Sequence, residues 1–113
     1  MKEKEIRLRC WIEKGGVKFF GPGRLEILEL IEIEGSISKA AKRMGMSYKK
    51  AWDMVDDLNK RGQQPFVILR KGGEKGGGAE ITESGKKIIS DYRRLAKKLQ
   101  SILEEEAEIL QLI

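Results

Sequence analysis

Residues 36–47, with the sequence SISKAAKRMGMS, constrain the fold more than any other part of the chain. Ser36 or Ser38 can cap a short helix, because a serine hydroxyl accepts a hydrogen bond from the free N–H groups of the first helical turn. Apolar side chains then follow at helical spacing, with small ones at the centre: Ile37, Ala40, Ala41 and Met44. Gly45 favours the left-handed conformation that ends a helix, and Ser47 can cap the next one.

The residues after Ser47 predict a longer helix that runs to about Arg61. Its inner face is formed by Ala51, Leu58 and either Met54 or Val55. A short helix, a turn containing glycine and a longer helix are the parts of a helix-turn-helix, whose second helix enters the major groove of DNA. On the outer face, Tyr48, Lys49 and Lys50 are therefore candidates to contact base edges or phosphates. Ser47 can also donate a hydrogen bond to a phosphate, although a helix cap alone explains it equally well.

Other residues of these two helices have an ordinary explanation beside the functional one. Ser38, Lys39 and Lys42 belong to the helix that crosses the DNA backbone in this motif, where phosphate contact and plain solvation are open alternatives. Trp52 fits packing between the longer helix and the following strands better than stacking on sugars. Asp53 would repel phosphates, so its carboxylate is expected to read a cytosine amino group or to restrain one of the two lysines before it.

Gly62 and Pro65 end the longer helix, and two strand-forming runs follow at residues 66–69 and 79–82. The loop between these runs is rich in glycine and contains three basic residues, Arg70, Lys71 and Lys75. Its glycines would let the backbone approach a phosphate closely, and the alternative is a flexible hairpin tip with incidental charge. Because the loop lacks the GK[ST] signature, a nucleotide cradle is not expected. A hairpin directly after a helix-turn-helix predicts a wing.

The N-terminal region predicts a β-hairpin within residues 1–20. Residues 5–12, EIRLRCWI, alternate in character, which is typical of a half-buried strand. One face of that strand would carry Ile6, Leu8, Cys10 and Ile12. A turn at 14–16 leads to a second strand-forming run at 17–20, and the glycines and proline at 21–23 then open a first helix that ends at Gly35.

The C-terminal region predicts one long helix over residues 83–112, capped by Thr82 or Ser84 and interrupted on its apolar face by Glu106. Its apolar side chains recur in steps of mostly three and four: Ile88, Tyr92, Leu95, Leu99, Ile102 and Ile109. A stripe of this length exceeds what a small domain can cover, so its outer half is expected to pack on a second copy of the chain. The alternative is a helix folded back on the chain's own core.

Charge is distributed unevenly along the chain, whose net charge is +5. Residues 1–24 and residues 36–62 each contain seven basic and three acidic residues, whereas residues 25–35 contain four glutamates and no base. A basic block attracts polyanions such as nucleic acid, and a solvated lysine surface is the alternative.

Several functional classes are excluded by composition. The chain contains no histidine and one cysteine, which rules out histidine-based catalysis and makes a zinc site built from protein ligands untenable. Neither an enzyme nor a cofactor is therefore expected. No apolar stretch approaches the length of a membrane span, and the N-terminus lacks the apolar core of a signal peptide, so a cytoplasmic location is expected.

The run GSISKAAKRMGMSYKKAWDMVDDLN at residues 35–59 resembles the helix-turn-helix of the ModE-type molybdate-responsive regulators. The run LRKGGEKGGGAEITESGKKII at residues 69–89 resembles the wing and dimer helix of the same family, and the likeness covers roughly residues 21–100. The resemblance implies a winged helix-turn-helix that acts as a dimer on a palindromic operator. Family members continue into small β-barrel repeats that bind molybdate, whereas this sequence ends at Ile113. The resemblance therefore implies DNA binding and not molybdate binding.

The sequence thus predicts an α+β fold that is mainly α, in one winged helix-turn-helix domain. Its expected parts are a hairpin (1–20), a three-helix core (22–62), a wing (65–82) and a dimerisation helix (83–112). The leading hypothesis is a transcriptional regulator that binds double-stranded DNA as a homodimer. The alternative is an interaction module that heterodimerises with a longer regulator through its C-terminal helix.

Overall fold

The computed structural model describes residues 3–71 and 78–113. Strands β1 (Ile12–Lys14) and β2 (Val17–Phe20) form a first antiparallel hairpin. Three helices follow: α1 (Pro22–Glu34), α2 (Ile37–Met44) and α3 (Tyr48–Arg61). Strands β3 (Val67–Arg70) and β4 (Gly78–Ile81) form a second antiparallel hairpin, the wing, and the chain ends in the long helix α4 (Glu83–Glu105) and a 3₁₀ helix (Ala107–Leu112). This is the mainly helical winged fold that the sequence predicts.

One apolar core joins β2, the helices α1 to α4 and both wing strands, whereas β1 and the terminal 3₁₀ helix contribute no buried side chain to it. Its largest fully buried side chains come from β2, α1 and α3: Phe20, Ile27, Leu28, Ile31 and Leu58. Burial of each such side chain contributes about 1.5–3 kcal/mol, so α1 is the main apolar support of the domain. On α2, Ala40 and Ala41 are buried, as the sequence predicts, and their small size lets α2 pack closely against both α1 and α3.

Caps set the limits of α2 and α3 at the predicted places. The Ser36 hydroxyl accepts a hydrogen bond from the Lys39 N–H (3.2 Å), and the Ser47 hydroxyl accepts one from the Lys50 N–H (3.1 Å). Gly35 and Gly45 end the preceding helices with φ of 67° and 68°, a conformation that other residues adopt only with strain. Of the two candidate caps for α2, Ser36 is the one used.

The N-terminal strand is shorter than predicted. Residues 5–11 form no regular secondary structure, and β1 begins only at Ile12. Its partner strand β2 ends at Phe20, opposite Ile12, because α1 starts two residues later at Pro22. Residues 4–9 lie beside the end of α4 instead, and Lys4 Nζ donates a hydrogen bond to the backbone oxygen of Ile113 (3.0 Å).

The long helix also stops earlier than predicted. It ends at Glu105, and a 3₁₀ helix continues over Ala107–Leu112. The consecutive glutamates at 104–106 are repelled by the partial negative charge of a helix C-terminus, and the last turn of α4 contains no basic residue to offset them. Each wing strand is offset by one residue from its predicted run: β3 covers Val67–Arg70 and β4 covers Gly78–Ile81. Phe66, the first residue of the predicted run, is buried in the core before β3 begins.

Asn59 connects α3 to the wing. Its side-chain oxygen accepts hydrogen bonds from the backbone N–H groups of Phe66 (2.9 Å) and Val67 (3.2 Å), and its side-chain nitrogen donates to the Val67 carbonyl (2.9 Å). The opposite strand is anchored by a bond from the Ala79 N–H to the Gly35 carbonyl (2.9 Å). The wing is therefore attached both to α3 and to the turn between α1 and α2.

Asp57 and Arg61 connect α3 to the first hairpin. Arg24 donates to the Asp57 carboxylate (2.5 Å) and to the Phe19 carbonyl (3.0 Å), while Arg61 donates to Asp57 (3.0 Å) and to the Lys18 carbonyl (2.9 Å). The Arg24 guanidinium, assisted by Arg61, holds the pKa of Asp57 below its usual value of 3.8. The stabilisation by this carboxylate is therefore complete at neutral pH and is lost only as the pH falls through that lowered pKa.

Replacing Asn59 with alanine should lower the free energy of unfolding by about 1–3 kcal/mol, because it leaves backbone groups of β3 without their partners. Urea denaturation followed by circular dichroism measures the change. Gln63→Ala, which removes an exposed amide just beyond the same helix, is the matched control and should change stability by less than about 0.5 kcal/mol. Equal effects of the two substitutions would contradict the role given to Asn59.

Replacing Ser47 with alanine should cost about 0.5–2 kcal/mol, because the N-terminal N–H groups of α3 lose their side-chain acceptor. Ser38→Ala is the control, since Ser38 is exposed and α2 is capped by Ser36. Urea denaturation of the two variants separates a cap from a surface serine. A Ser47→Ala variant as stable as wild type would show that the cap does not stabilise α3.

Candidate nucleic-acid interface

The first turn of α3 projects from the surface with its predicted functional residues exposed. Tyr48 is 54% exposed and the Lys49 side chain is 84% exposed, and Ser47 and Lys50 are exposed as well. The helix end adds partial positive charge through its backbone N–H groups. Four residues that the sequence singles out thus form an exposed, cationic end of a helix that is anchored at its other end.

A groove of about 540 Å³ separates this turn from the wing; it is called the wing groove below. Its lining comes from the start of α2, the start of α3 and both wing strands: Ser36, Ile37, Ser38, Tyr48, Leu69, Arg70, Lys71, Gly78 and Ala79. The fold therefore brings Ser38, Tyr48, Arg70 and Lys71 to one site, although they are up to 33 positions apart in the sequence. Exposed Leu69 adds an apolar surface beside them that sequence reasoning did not include.

Other predicted residues lie outside the wing groove. Lys39 and Lys42 are exposed on α2 but do not line it, and Lys75 falls outside the described residues. Arg70 is engaged within the wing, where its Nε donates to Glu80 Oε2 (2.6 Å), a residue directly across from Ile68 in the hairpin. Part of the Arg70 charge is thus balanced inside the chain, and Lys71 is exposed.

Two expectations for α3 have different outcomes. Lys49 Nζ donates to Asp53 Oδ2 (3.0 Å), which is the restraint that the sequence offered as one role for Asp53. Trp52 is 38% exposed, so it lies on the surface of α3, whereas the sequence favoured a packing position. The exposed ring stands one turn beyond Tyr48 on the same side of the helix.

The residues predicted for dimerisation divide into two groups. Ile88 packs against the core, and Tyr92 is only 5% exposed because its ring contacts Phe20 edge-on and its hydroxyl donates to the Cys10 carbonyl (2.6 Å). Burial raises the pKa of the Tyr92 hydroxyl. The remaining side chains of the stripe stand further out along the helix: Leu95, Leu99, Ile102 and Ile109.

An apolar groove of about 550 Å³ runs along the first half of α4, between Glu83 and Leu95. Its apolar lining includes Ile12, Phe66, Ile88 and Leu95, with the edge of Tyr92. Lys87 and Asp91 form an ion pair at its rim (3.0 Å). The inner part of the predicted stripe thus serves the chain's own core, while its outer part remains uncovered.

The described residues contain no helix that is long and apolar enough to span a bilayer. Within the same ranges, no cluster of three or more cysteine or carboxylate side chains could bind a metal ion.

No protein-family model matches the chain. Among curated proteins, it is 44% identical over 87 residues to the molybdenum transport protein ModE of Azotobacter vinelandii, which covers 77% of this chain and 32% of that protein. It is 38% identical over 86 residues to the DNA-binding transcriptional dual regulator ModE of Escherichia coli (strain K12), covering 76% of this chain and 33% of the relative. The chain thus spans about a third of the length of these relatives.

Solved structures of low sequence identity have the same fold. The crystal structure of the CbnR DNA-binding domain in complex with DNA matches with a TM-score of 0.56 and 18% identity, over 77% of this chain and 94% of that one. Full-length LysG from Corynebacterium glutamicum, solved with bound arginine as effector, matches with a TM-score of 0.59 and 20% identity, over 83% of this chain and 30% of that one.

The sequence identity to ModE regulators agrees with the residues that carry the resemblance, and the solved structures agree with the winged fold. Several relatives, among them the Escherichia coli protein, are named as transcriptional regulators, which is not a class of enzymes and agrees with the expectation for this chain. The chain is a homologue of the ModE-type regulators over about a third of their length, and it folds as a winged helix-turn-helix.

Proposed function

We propose that this chain binds double-stranded DNA and regulates transcription in a sequence-specific manner. The observation that carries the proposal is the convergence of the exposed first turn of α3 with the wing groove at one end of the molecule. A helix end with this shape can enter the major groove while a flanking wing contacts the adjoining backbone. The names of the relatives, among them a DNA-binding transcriptional dual regulator, and the DNA complex of the CbnR domain support the same function.

The chemistry of the individual side chains suggests a division of roles. Tyr48, Lys49 and Lys50 are placed to contact base edges, since lysine can donate to the guanine O6 and N7 acceptors. Lys49 would exchange its Asp53 partner for a base or a phosphate, and Asp53 then keeps the lysine oriented before binding. Ser38, Arg70 and Lys71 line the wing groove and would contact phosphates, which fix the register of the helix on the duplex.

We further propose that two copies bind together on a palindromic operator. The uncovered apolar side chains of α4 and the 3₁₀ helix, led by Ile102 and Ile109, supply a surface that a second copy would cover. The two copies of α3, the helix proposed to enter the major groove, would be related by a two-fold axis. They would then be about 34 Å apart, which is one helical turn of DNA. No contact of the described residues and no name among the relatives favours the alternative, an interaction module that only heterodimerises with a longer regulator.

Replacing both Lys49 and Lys50 with alanine should abolish sequence-specific binding, because each lysine contributes about 1–3 kcal/mol of base discrimination. The test is an electrophoretic mobility shift at moderate salt, with the duplex selected by the wild-type chain from a random DNA pool. Lys97→Ala with Lys98→Ala is the matched control, since it removes the same charge from exposed positions of α4. Unchanged affinity of the Lys49 and Lys50 variant would refute the assignment, and a circular dichroism spectrum verifies that it is folded.

Replacing Ile102 with aspartate should convert a dimer into a monomer, because two buried carboxylates would face each other across the proposed interface. Sedimentation equilibrium measures the mass of each variant. Ile33→Asp, at a position on α1 that is 68% exposed, is the control and should leave the mass unchanged. A wild-type chain that sediments as a monomer at micromolar concentration would contradict the proposed homodimer.

A further inference from the structure

We propose that the chain has a second phosphate-binding surface, on the side of α3 opposite the wing; the inference rests on the proposed function. This surface is a groove of about 550 Å³ between the first hairpin and the start of α1, called the hairpin groove below. Its lining is mixed aromatic, glycine-rich and basic: Arg9, Trp11, Lys18, Phe19, Phe20, Gly21, Pro22, Gly23, Arg24 and Met54. The ligand it fits is the phosphate backbone of the same DNA duplex.

The position of the hairpin groove follows from the faces of α3. Lys50, Met54, Asp57 and Arg61 are spaced by four, three and four residues and therefore share one side of the helix. Met54 lines the hairpin groove, and Asp57 and Arg61 bind Arg24 and the hairpin carbonyls, so this side faces the first hairpin. Lys50, the first of the four, stands on that same side one turn nearer the exposed end.

The wing lies on the other side of α3. Tyr48 lines the wing groove, and Asn59, three turns further along, binds β3 on the same side of the helix. The wing groove and the hairpin groove therefore flank the recognition helix. Because a major groove is bounded by a phosphate backbone on each side, a helix inserted into it places both grooves beside phosphates.

Charge favours phosphate as the ligand of the hairpin groove. None of the described residues that line it is acidic, and Arg9 and Lys18 are both exposed. Arg24 is engaged by Asp57, so the uncompensated charge comes from the other two cations. The same two residues belong to the N-terminal basic block, which the proposed roles of α3 and the wing do not use.

The Lys18 ammonium lies over the ring of Trp11. Its Nζ lies 4.3 Å from the centroid of the Trp11 ring, and the Trp11 indole N–H donates to Glu13 Oε2 (3.0 Å). Glu13 is directly across the hairpin from Lys18, but its carboxylate is engaged by the indole. A cation–π contact orients a lysine without removing its charge, so Lys18 remains able to bind a phosphate.

The salt dependence of DNA binding tests the second surface, with the duplex selected from a random pool as the probe and fluorescence anisotropy as the measurement. Each phosphate contact contributes about 0.9 to the slope of the logarithm of affinity against the logarithm of salt concentration. Replacing Arg9 and Lys18 with glutamine should therefore lower that slope by about 1.8 for each protomer. The charge-preserving pair Arg9→Lys and Lys18→Arg should keep the wild-type slope.

Replacing Lys97 and Lys98 with glutamine provides the matched control, since it removes equal charge from α4 and should leave the slope unchanged. If the Arg9 and Lys18 variant has the slope of this control while the wild type binds DNA, the hairpin groove is not a phosphate site and the proposed function stands. If the wild type itself fails to bind duplex DNA even at low salt, both proposals are overturned. A folded circular dichroism spectrum is required of every variant.

Discussion

The geometry of this domain depends on polar side chains in the C-terminal half of α3. Asn59 attaches the helix to the wing through three hydrogen bonds, Arg61 attaches it to the first hairpin, and Asp57 accepts a hydrogen bond from Arg24 of α1. Because both attachments lie beyond the middle of the helix, the first turn is left unobstructed. A rigid base and an exposed end are what a helix needs if its side chains are to reach a groove in a defined orientation.

The charged side chains at the two ends of α3 have different environments. Near its C-terminus, Arg24 and Arg61 share Asp57, and both arginine side chains are only 24% exposed, so they offer little surface to a ligand. Near its N-terminus, Lys49 has only the exposed and therefore weak ion pair with Asp53. Such a pair costs little to break, so the Lys49 ammonium stays available to a ligand, as the proposed function requires.

Much of the fold could be predicted because its signals are local. Serine caps, left-handed glycines and helical spacing gave the limits of α1, α2 and α3, and these limits match the structure closely. Local alternation over residues 5–12 was misleading, because a strand needs a neighbour and β2 is too short to provide one. The helix predicted over residues 83–112 extends beyond the observed end of α4 at Glu105. The prediction followed the spacing of the apolar residues and did not take into account the unfavourable glutamates at 104–106.

The exposure of the candidate site residues could be predicted from the sequence, but the way in which the fold brings them together could not. The exposed residues of α3 follow from helical geometry, and Lys49 with Asp53 follows from the four-residue spacing. The attachment by Asn59 could not be anticipated, because its partners are backbone groups whose position depends on the tertiary fold. Tyr92 continued the apolar stripe of α4 in sequence, and only packing against Phe20 reveals that its ring belongs to the chain's own core.

Gly35 both ends α1 and accepts a hydrogen bond from the wing. Its left-handed backbone closes α1, and its carbonyl accepts the Ala79 N–H, with Gly78 packed so closely that an added Cβ would lie 3.1 Å from the same oxygen. Any side chain introduced at position 35 would strain the backbone there and displace that oxygen. The wing would then shift relative to α2, so this small turn determines the width of the channel between them.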